Sequence, residues 1–195
     1  MQGGKGTDAT DLATAECSRH DMKHPTAIGD LQKGERYASP INILLTIKLP
    51  ANSRYVNIDY IFLSSLKCNP PPLLVVSYDI ACQWSTKHHD WYNIYPPGLV
   101  SSLPDIDMWF LIPKFHLPAH ILKCRADYSF NLTPCVGRTD GEAPECGWSE
   151  ANSMAVSTRE MGPGSHHNTL DDHFEDHNWG KIVKMGTYYY ISIPC

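Results

Sequence analysis

The stretch Leu73-Leu-Val-Val-Ser-Tyr-Asp-Ile-Ala-Cys82 decides the fold class, because it is the clearest secondary-structure signal in the chain. It is a nearly continuous apolar run of strand length, and it is rich in β-branched residues. Such runs are typical of strands that are buried on both faces of a mixed or parallel sheet. A second run, Met108-Trp-Phe-Leu-Ile112, predicts another short buried strand. Strands interspersed with helical segments indicate an α/β fold.

Helices are predicted on both sides of these two strands. Residues 57–66 carry apolar side chains at the spacing of a short amphipathic helix. Pro118 suits the first turn of a helix that runs to about residue 125. Further helices are predicted over residues 143–161 and 170–183. At the chain ends, residues 1–16 are predicted to form a disordered tail, and residues 188–195 have the pattern of a strand.

The composition limits the classes of function. The chain of 195 residues is 42% hydrophobic and 19% charged, which is typical of a globular protein. The net charge is −5, and residues 98–195 hold the whole deficit with 7 basic and 12 acidic residues. A strongly basic surface for nucleic acid is therefore absent, whereas an acidic half can hold divalent cations. No apolar run reaches about 18 residues, so no contact with a membrane is expected.

The N-terminal residues also lack the apolar core of a signal peptide, so we expect an intracellular protein. In a reducing compartment, its seven cysteines are expected to be free thiols or metal ligands rather than disulfides.

Asp79 is the first candidate for chemistry, because it interrupts the apolar run near its carboxyl end. A carboxylate in an apolar strand is costly unless it is paired or bound to a metal ion. In open α/β sheets, ligands gather at the carboxyl ends of the strands. The alternative is that Asp79 caps the next turn or forms an ion pair with a Lys or Arg. The residues alone leave both interpretations open.

An acidic segment, Thr139-Asp-Gly-Glu-Ala-Pro-Glu145, is the second candidate. If a helix begins here, Glu142 and Glu145 share a face, and Asn152 follows on roughly the same side. Asp79 and one of these glutamates could hold hard divalent cations through oxygen ligands. Pairs of such ions clamp the attacking and leaving oxygens of a phosphodiester. The alternative is that the acidic residues stabilise a helix N-terminus through its macrodipole.

A third candidate combines nitrogen and sulfur ligands. His120 and Cys124 are four residues apart on the helix that is predicted after Pro118. His116, with Cys82 as a further candidate, could complete a tetrahedral zinc site. The alternative is a hydrogen-bonded core histidine beside a buried thiol. The chain has no phosphate-binding Gly-rich loop and no Gly-x-Ser-x-Gly elbow, which disfavours nucleotide triphosphatases and α/β-hydrolases.

Five ordered blocks resemble the KDZ (Kyakuja–Dileera–Zisupton) transposases, a family that is abundant in fungal genomes. The blocks are Gly29-Asp-Leu-Gln-Lys-Gly-Glu-Arg-Tyr37, Ser77-Tyr-Asp-Ile-Ala-Cys-Gln-Trp84, Pro113-Lys-Phe-His-Leu-Pro-Ala-His120, Val136-Gly-Arg-Thr-Asp-Gly-Glu-Ala-Pro-Glu145, and Glu160-Met-Gly-Pro-Gly164 with Leu170-Asp-Asp-His-Phe174. The resemblance covers about residues 17–186. It implies an RNase H-like core, which is a mixed sheet flanked by helices. It also implies DDE-type DNA cleavage and strand transfer with Mg²⁺ or Mn²⁺, transposon ends as the DNA partner, and a nuclear location.

The resemblance assigns the acidic residues by position. Asp79 corresponds to the second Asp of the catalytic triad, and the glutamate comes from the block that contains Glu142 and Glu145. Glu142 is slightly preferred, and the choice between the two stays open. The family's first catalytic Asp lies on a strand before the Cys17 block, and that strand is missing from this sequence.

Other departures concern inserted and substituted residues. Cys146 occupies a position where the family usually has Arg, and His166-His167 also occupy positions where Arg is usual. Residues 38–55 are predicted to be an insertion, because their removal restores a continuous family block. These 18 residues correspond to 54 nucleotides, which fits a short intron translated in frame. Residues 187–195 look unrelated to the family.

We therefore expect a partial or degenerate DDE-type transposase that is inactive as this chain. The second hypothesis is that the chain is one exon-encoded block of an active enzyme. A third is a non-catalytic, zinc-braced binding module that contacts nucleic acid or a full-length transposase.

Overall fold

The computed structural model describes residues 11–31, 55–67, 70–101, 103–137, 139–142, 154–158 and 160–191. Their strands are β1 (Asp11–Cys17), β2 (Met22–Leu31), β3 (Leu73–Ser77) and β4 (Asp107–Leu111). Their α-helices are α1 (Val56–Ser65), α2 (Ala81–Trp84), α3 (Trp91–Ile94), α4 (Pro97–Val100), α5 (Leu122–Asp127), α6 (Ala155–Thr158) and α7 (Pro163–Ile191). Short 3₁₀ turns span Ser85–Asp90, Leu103–Asp105 and Leu117–Ala119. The fold is mixed α/β.

The described residues fall into two compact units. The first contains those within Met1–Ala15 and His24–Gly141, and the second contains those within Glu16–Lys23 and Glu142–Cys195. No helix in the described ranges is long and apolar enough to cross a membrane.

The first unit contains a parallel pair of strands, β3 and β4. Their register runs from Leu73 opposite Asp107 to Ser77 opposite Leu111. Beyond β4, Ile112 forms a parallel bridge with Ser129. Both predicted strands are confirmed, but the apolar run that begins at Leu73 does not stay extended to Cys82. The strand ends at Ser77 because β4, its hydrogen-bonding partner, ends at Leu111, and the chain then turns into α2.

An aromatic core lies between α1 and the helical stretch that begins with α2. Phe62 packs edge-on against Trp84 with ring centroids 5.2 Å apart, and Trp84 lies 5.5 Å from Trp91. Leu63 and Trp91 are almost fully buried. Burial of one large apolar side chain contributes about 1.5–3 kcal/mol, so this cluster is the main stabilising contact of α1. The predicted amphipathic helix over residues 57–66 is confirmed with a shift of one residue.

The second unit joins the tip of the β1–β2 hairpin to α7. The side-chain amide of Asn178 accepts a hydrogen bond from the Lys23 backbone N–H (2.8 Å) and donates one to the Lys23 carbonyl (2.9 Å). Lys181 Nζ lies 2.6 Å from Asp21 Oδ2, and the buried Lys23 ammonium pairs with Glu16. These contacts pair the backbone and the ammonium group of Lys23 at the hairpin tip.

Several predictions for the chain ends are wrong. Residues 11–16 lie in β1 rather than in a disordered tail, because they pair with β2. Residues 188–191 belong to α7 rather than to a strand. A strand needs a partner for its backbone groups, whereas a helix pairs them internally. The helix predicted over 170–183 is confirmed and is longer, from Pro163 to Ile191.

Other predictions fall outside the described residues. These include most of the insertion predicted over residues 38–55, and residues 1–10 and 192–195. Within the helix predicted over 143–161, residues 143–153 lie outside the described ranges, and Ala155–Thr158 are helical.

Candidate functional site

The carboxyl ends of β3 and β4 form one edge of the parallel pair. The Tyr78 N–H donates to the Leu111 carbonyl at 3.1 Å, so the pairing continues one residue beyond β3. Asp79 follows at once after β3, and His116 lies on the turn after β4. In α/β sheets, this edge is where ligands bind.

Asp79 lies on the turn that leads into α2 and is not part of the strand. Its side chain is 53% exposed, and its Oδ2 lies 3.6 Å from His116 Nδ1. Ile80 holds the N-cap position of α2, which has no side-chain cap. The prediction of a costly buried carboxylate is therefore wrong, and so is the alternative of a cap on α2. The carboxylate is instead exposed and lies beside His116.

The acidic segment reaches the same edge through its backbone. The Lys114 N–H donates to the Asp140 carbonyl at 2.9 Å. Gly141 has a φ of +81°, and a Cβ built on it would lie 2.4 Å from Ser77 Oγ. Only glycine fits this left-handed turn so close to the end of β3.

Of the acidic side chains that follow, Glu142 is partly buried and begins the Glu142–Cys195 segment of the second unit. Glu145 and Asn152 lie outside the described residues, so the preference for Glu142 over Glu145 stays a prediction.

Three nitrogen and sulfur ligands meet beside this edge. The ligand atoms of Cys82, His120 and Cys124 all lie within 4.8 Å of one another, and each residue is partly exposed. Cys82 Sγ lies 3.5 Å from His120 Nδ1. The three atoms fit a metal ion, because Cys and His are the usual ligands of tetrahedral sites.

The cluster forms without the helix that was predicted to carry it. Leu117–Ala119 form a 3₁₀ turn, His120 is extended with φ −88° and ψ 161°, and α5 begins only at Leu122. His120 and Cys124 therefore do not share a helix face. Instead, the Arg125 side chain donates to the His120 carbonyl at 2.7 Å and also to the Pro118 carbonyl, which closes the loop before α5.

Of the two candidates to complete the site, Cys82 joins His120 and Cys124, and His116 does not. Within the described ranges, the cluster is made of Cys82, His120 and Cys124, whereas His116 lies beside Asp79. The signal for Cys82 was present, since this residue lies three positions after Asp79 in the same family-like block. Sequence spacing could not favour Cys82 over His116, because 38 residues separate Cys82 from His120.

The pKa of the Cys82 thiol disfavours nucleophilic catalysis by this residue. Burial, and then the neighbouring Cys124, raise the pKa of the Cys82 thiol above its ordinary value. A thiol with a raised pKa stays protonated at neutral pH and is a poor nucleophile. A metal ion that binds the thiolate would displace this proton.

Comparison with known proteins gives one match. The model of the Kyakuja-Dileera-Zisupton transposase family matches residues 41–178. The matched range contains Asp79, Glu142 and the Cys82–His120–Cys124 cluster; it begins inside the predicted insertion and excludes the Cys17 block. No curated protein sequence and no solved structure matches the chain significantly. Because the family match spans more than two thirds of the 195 residues, the chain belongs to the KDZ transposase family.

Proposed function

We propose that this chain carries part of the catalytic centre of a DDE-type DNA transposase, and that Asp79 binds a divalent cation there. The observation that carries the proposal is the position of Asp79. It is an exposed carboxylate at the carboxyl ends of two parallel strands, in a chain that belongs to a transposase family. The arrangement agrees with an RNase H-like core. The place of action is the nucleus, as the resemblance implies.

The role of Asp79 follows from its chemistry. Carboxylate oxygens are hard ligands that suit Mg²⁺ and Mn²⁺. When bound, such ions activate the attacking water or 3′-hydroxyl and neutralise charge on the phosphodiester. Asp79 would hold one ion at the edge of the sheet, and its exposure leaves room for a DNA strand.

Glu142 is the proposed catalytic glutamate, because it lies in the acidic block that resembles the family's. It directly follows Gly141, whose backbone packs against Ser77 at the end of β3. Weak activity is expected even with all acidic ligands present, because Cys146 and His166-His167 replace positions that are usually basic in the family.

The first test is DNA cleavage by the gene product on DNA that carries the ends of its own element, with Mg²⁺ or Mn²⁺. Asp79→Asn should lower the cleavage rate by about a thousandfold or more, because it removes a metal ligand and keeps the shape of the side chain. Asp107→Asn is the matched control, since Asp107 is an exposed acid at the opposite end of the same strand pair. A wild-type rate in Asp79→Asn would overturn the assigned role.

A binding measurement extends the test to a chain without activity. Titration of the 195-residue protein with Mn²⁺, followed by the EPR signal of the free ion, should show a site that is weakened in Asp79→Asn. The Asp107→Asn protein should bind like the wild type. Equal binding by all three proteins would contradict the proposal.

The Cys82–His120–Cys124 cluster favours a second candidate, a non-catalytic zinc-braced module that binds nucleic acid or a full-length transposase. Under this candidate, Asp79→Asn leaves binding of the partner unchanged, whereas loss of the cluster abolishes it. Asp79→Asn should therefore lower DNA cleavage under the first proposal, and it should leave partner binding unchanged under the second.

A further inference from the structure

The chain segments that follow β3 and β4 come together at Asp79 and His116. They come together again further along the chain, at Cys82, His120 and Cys124. We propose that one zinc ion binds Cys82 Sγ, Cys124 Sγ and His120 Nδ1, and that it clamps these two segments together below the candidate catalytic edge. Only the consequence for Asp79 rests on the proposed function; the zinc site stands without it.

The spacing of the ligand atoms supports the site. With Zn–S distances of about 2.3 Å, Zn–N distances of about 2.1 Å and tetrahedral angles, a sulfur and a nitrogen ligand lie about 3.6 Å apart. The Cys82 Sγ–His120 Nδ1 distance is 3.5 Å, and Cys124 Sγ completes the group within 4.8 Å. Hydrogen bonds of the Cys82 thiol with His120 and Cys124 fit the same distances, and the zinc measurements below separate the two interpretations.

The donor set selects zinc over the cations that suit Asp79. Thiolate and imidazole ligands favour zinc, whereas Mg²⁺ and Mn²⁺ favour oxygen ligands. The three residues are partly exposed, so an ion can enter and a water molecule can take the fourth position. The two kinds of metal site are therefore chemically separate, although they lie on the same segments.

The chain path explains why this ion would act as a clamp. Cys82 belongs to α2, three residues after Asp79, and His120 lies four residues after His116. The Asp79–His116 contact is 3.6 Å long and exposed, and such pairs contribute little to stability. A zinc link between the same two segments is far stronger. The ion would thus set the distance between Asp79 and the turn after β4.

The test measures zinc in the full 195-residue chain. Mass spectrometry after dialysis should find about one zinc ion per chain, and competition with a chromophoric chelator should give its affinity. Cys82→Ser, His120→Ala and Cys124→Ser should each weaken zinc binding by more than about 100-fold, which exceeds the usual effect of outer-shell partners. Cys135→Ser is the matched control, because Cys135 is exposed and lies outside the cluster.

Two further variants, His116→Ala and Asp79→Asn, define the ligand set. His116→Ala should keep its zinc, and loss of zinc there would overturn the assignment of Cys82, His120 and Cys124. Wild-type protein without zinc after reconstitution, or full zinc affinity in Cys82→Ser, would overturn the site itself. Asp79→Asn should also keep its zinc. If Asp79→Asn neither loses zinc nor changes DNA cleavage, the zinc site stands and the proposed catalytic role fails.

Two measurements on the wild-type protein do not depend on how the variants fold. Replacement of zinc by Co²⁺ should give the d–d bands of a tetrahedral site and a thiolate-to-cobalt charge-transfer band, and the absence of both would overturn the proposal. Removal of zinc should speed tryptic cleavage at Lys123 and Arg125 on α5. An unchanged cleavage rate would contradict the clamp.

Discussion

Asp59 is a buried carboxylate in the aromatic core. Its Oδ1 accepts a hydrogen bond from Trp84 Nε1 (2.6 Å), and its Oδ2 accepts one from the Tyr95 hydroxyl (2.5 Å). Burial raises the pKa of Asp59, although the two hydrogen bonds and the charge of Lys87 oppose the shift. The folded protein therefore binds this proton more tightly than the unfolded chain. The free energy of unfolding should therefore decrease as the pH rises from the ordinary pKa of an aspartate through the raised pKa of Asp59.

Substitutions of Asp59 should separate its charge from its hydrogen bonds. Asp59→Asn keeps polar partners for Trp84 and Tyr95 and removes the buried charge, so we expect unchanged or higher stability at pH 7 and a weaker dependence on pH. Asp59→Ala removes the acceptor of the buried Trp84 Nε1–H and should cost about 1–3 kcal/mol for this group. Urea unfolding at pH 5 and pH 7, followed by Trp fluorescence, measures both effects. An equal decrease in the free energy of unfolding in Asp59→Asn and Asp59→Ala would contradict the role of the hydrogen bonds.

At the scale of elements, the turn at Gly141 ties the acidic segment to the end of β3. Its left-handed backbone and its close approach to Ser77 Oγ both require the absence of a Cβ. The neighbouring Lys114–Asp140 backbone hydrogen bond links the same segment to the turn after β4. The path of the backbone at Asp140 and Gly141 thus depends on a glycine that carries no chemistry of its own.

Gly141→Ala should destabilise the protein. Left-handed strain alone costs about 1–2 kcal/mol, and displacement of the Ser77 hydroxyl adds to it. Gly98→Ala is the control, because Gly98 lies in α4 with no atom within 4 Å of a built Cβ. That variant should be neutral or more stable by about 0.5–1 kcal/mol. Thermal unfolding of both proteins provides the comparison, and similar midpoints would argue against a tight turn at Gly141.

At the scale of the whole molecule, charge limits the contact with DNA. The net charge is −5, and the acidic excess lies in residues 98–195, which hold Glu142. An acidic protein gains little from counterion release on a phosphate backbone. Divalent cations at the carboxylates would therefore be needed to bridge the protein and the DNA.

The 195-residue chain should bind duplex DNA weakly in the absence of metal ions. We expect a Kd no tighter than about 10⁻⁶ M at physiological salt. Addition of Mn²⁺ should strengthen binding, and Asp79→Asn should remove that gain. Fluorescence anisotropy of a labelled duplex measures each state. Nanomolar binding in a metal-free buffer would show that a basic surface, rather than bound cations, attracts the DNA.

The amino-acid sequence alone was sufficient to predict the α/β class, the strands β3 and β4, the helix α1 and the main part of α7. Each of these elements has a local cause, because apolar side chains recur at the period of the strand or the helix that buries them. The family-like blocks around Asp79, His116 and Glu142 are likewise local features. They supported the family assignment without any knowledge of contacts.

The contacts between distant segments could not be read from these local patterns. β3 ends at Ser77 because its partner strand ends, residues 11–16 are extended because β2 pairs with them, and neither partner follows from the residues themselves. Cys82 joins His120 and Cys124, while His116 turns to Asp79, because the chain forms a 3₁₀ turn and an extended residue before α5. Residue types specify which ligands are available, whereas long-range backbone pairing determines which of them come within reach of one ion.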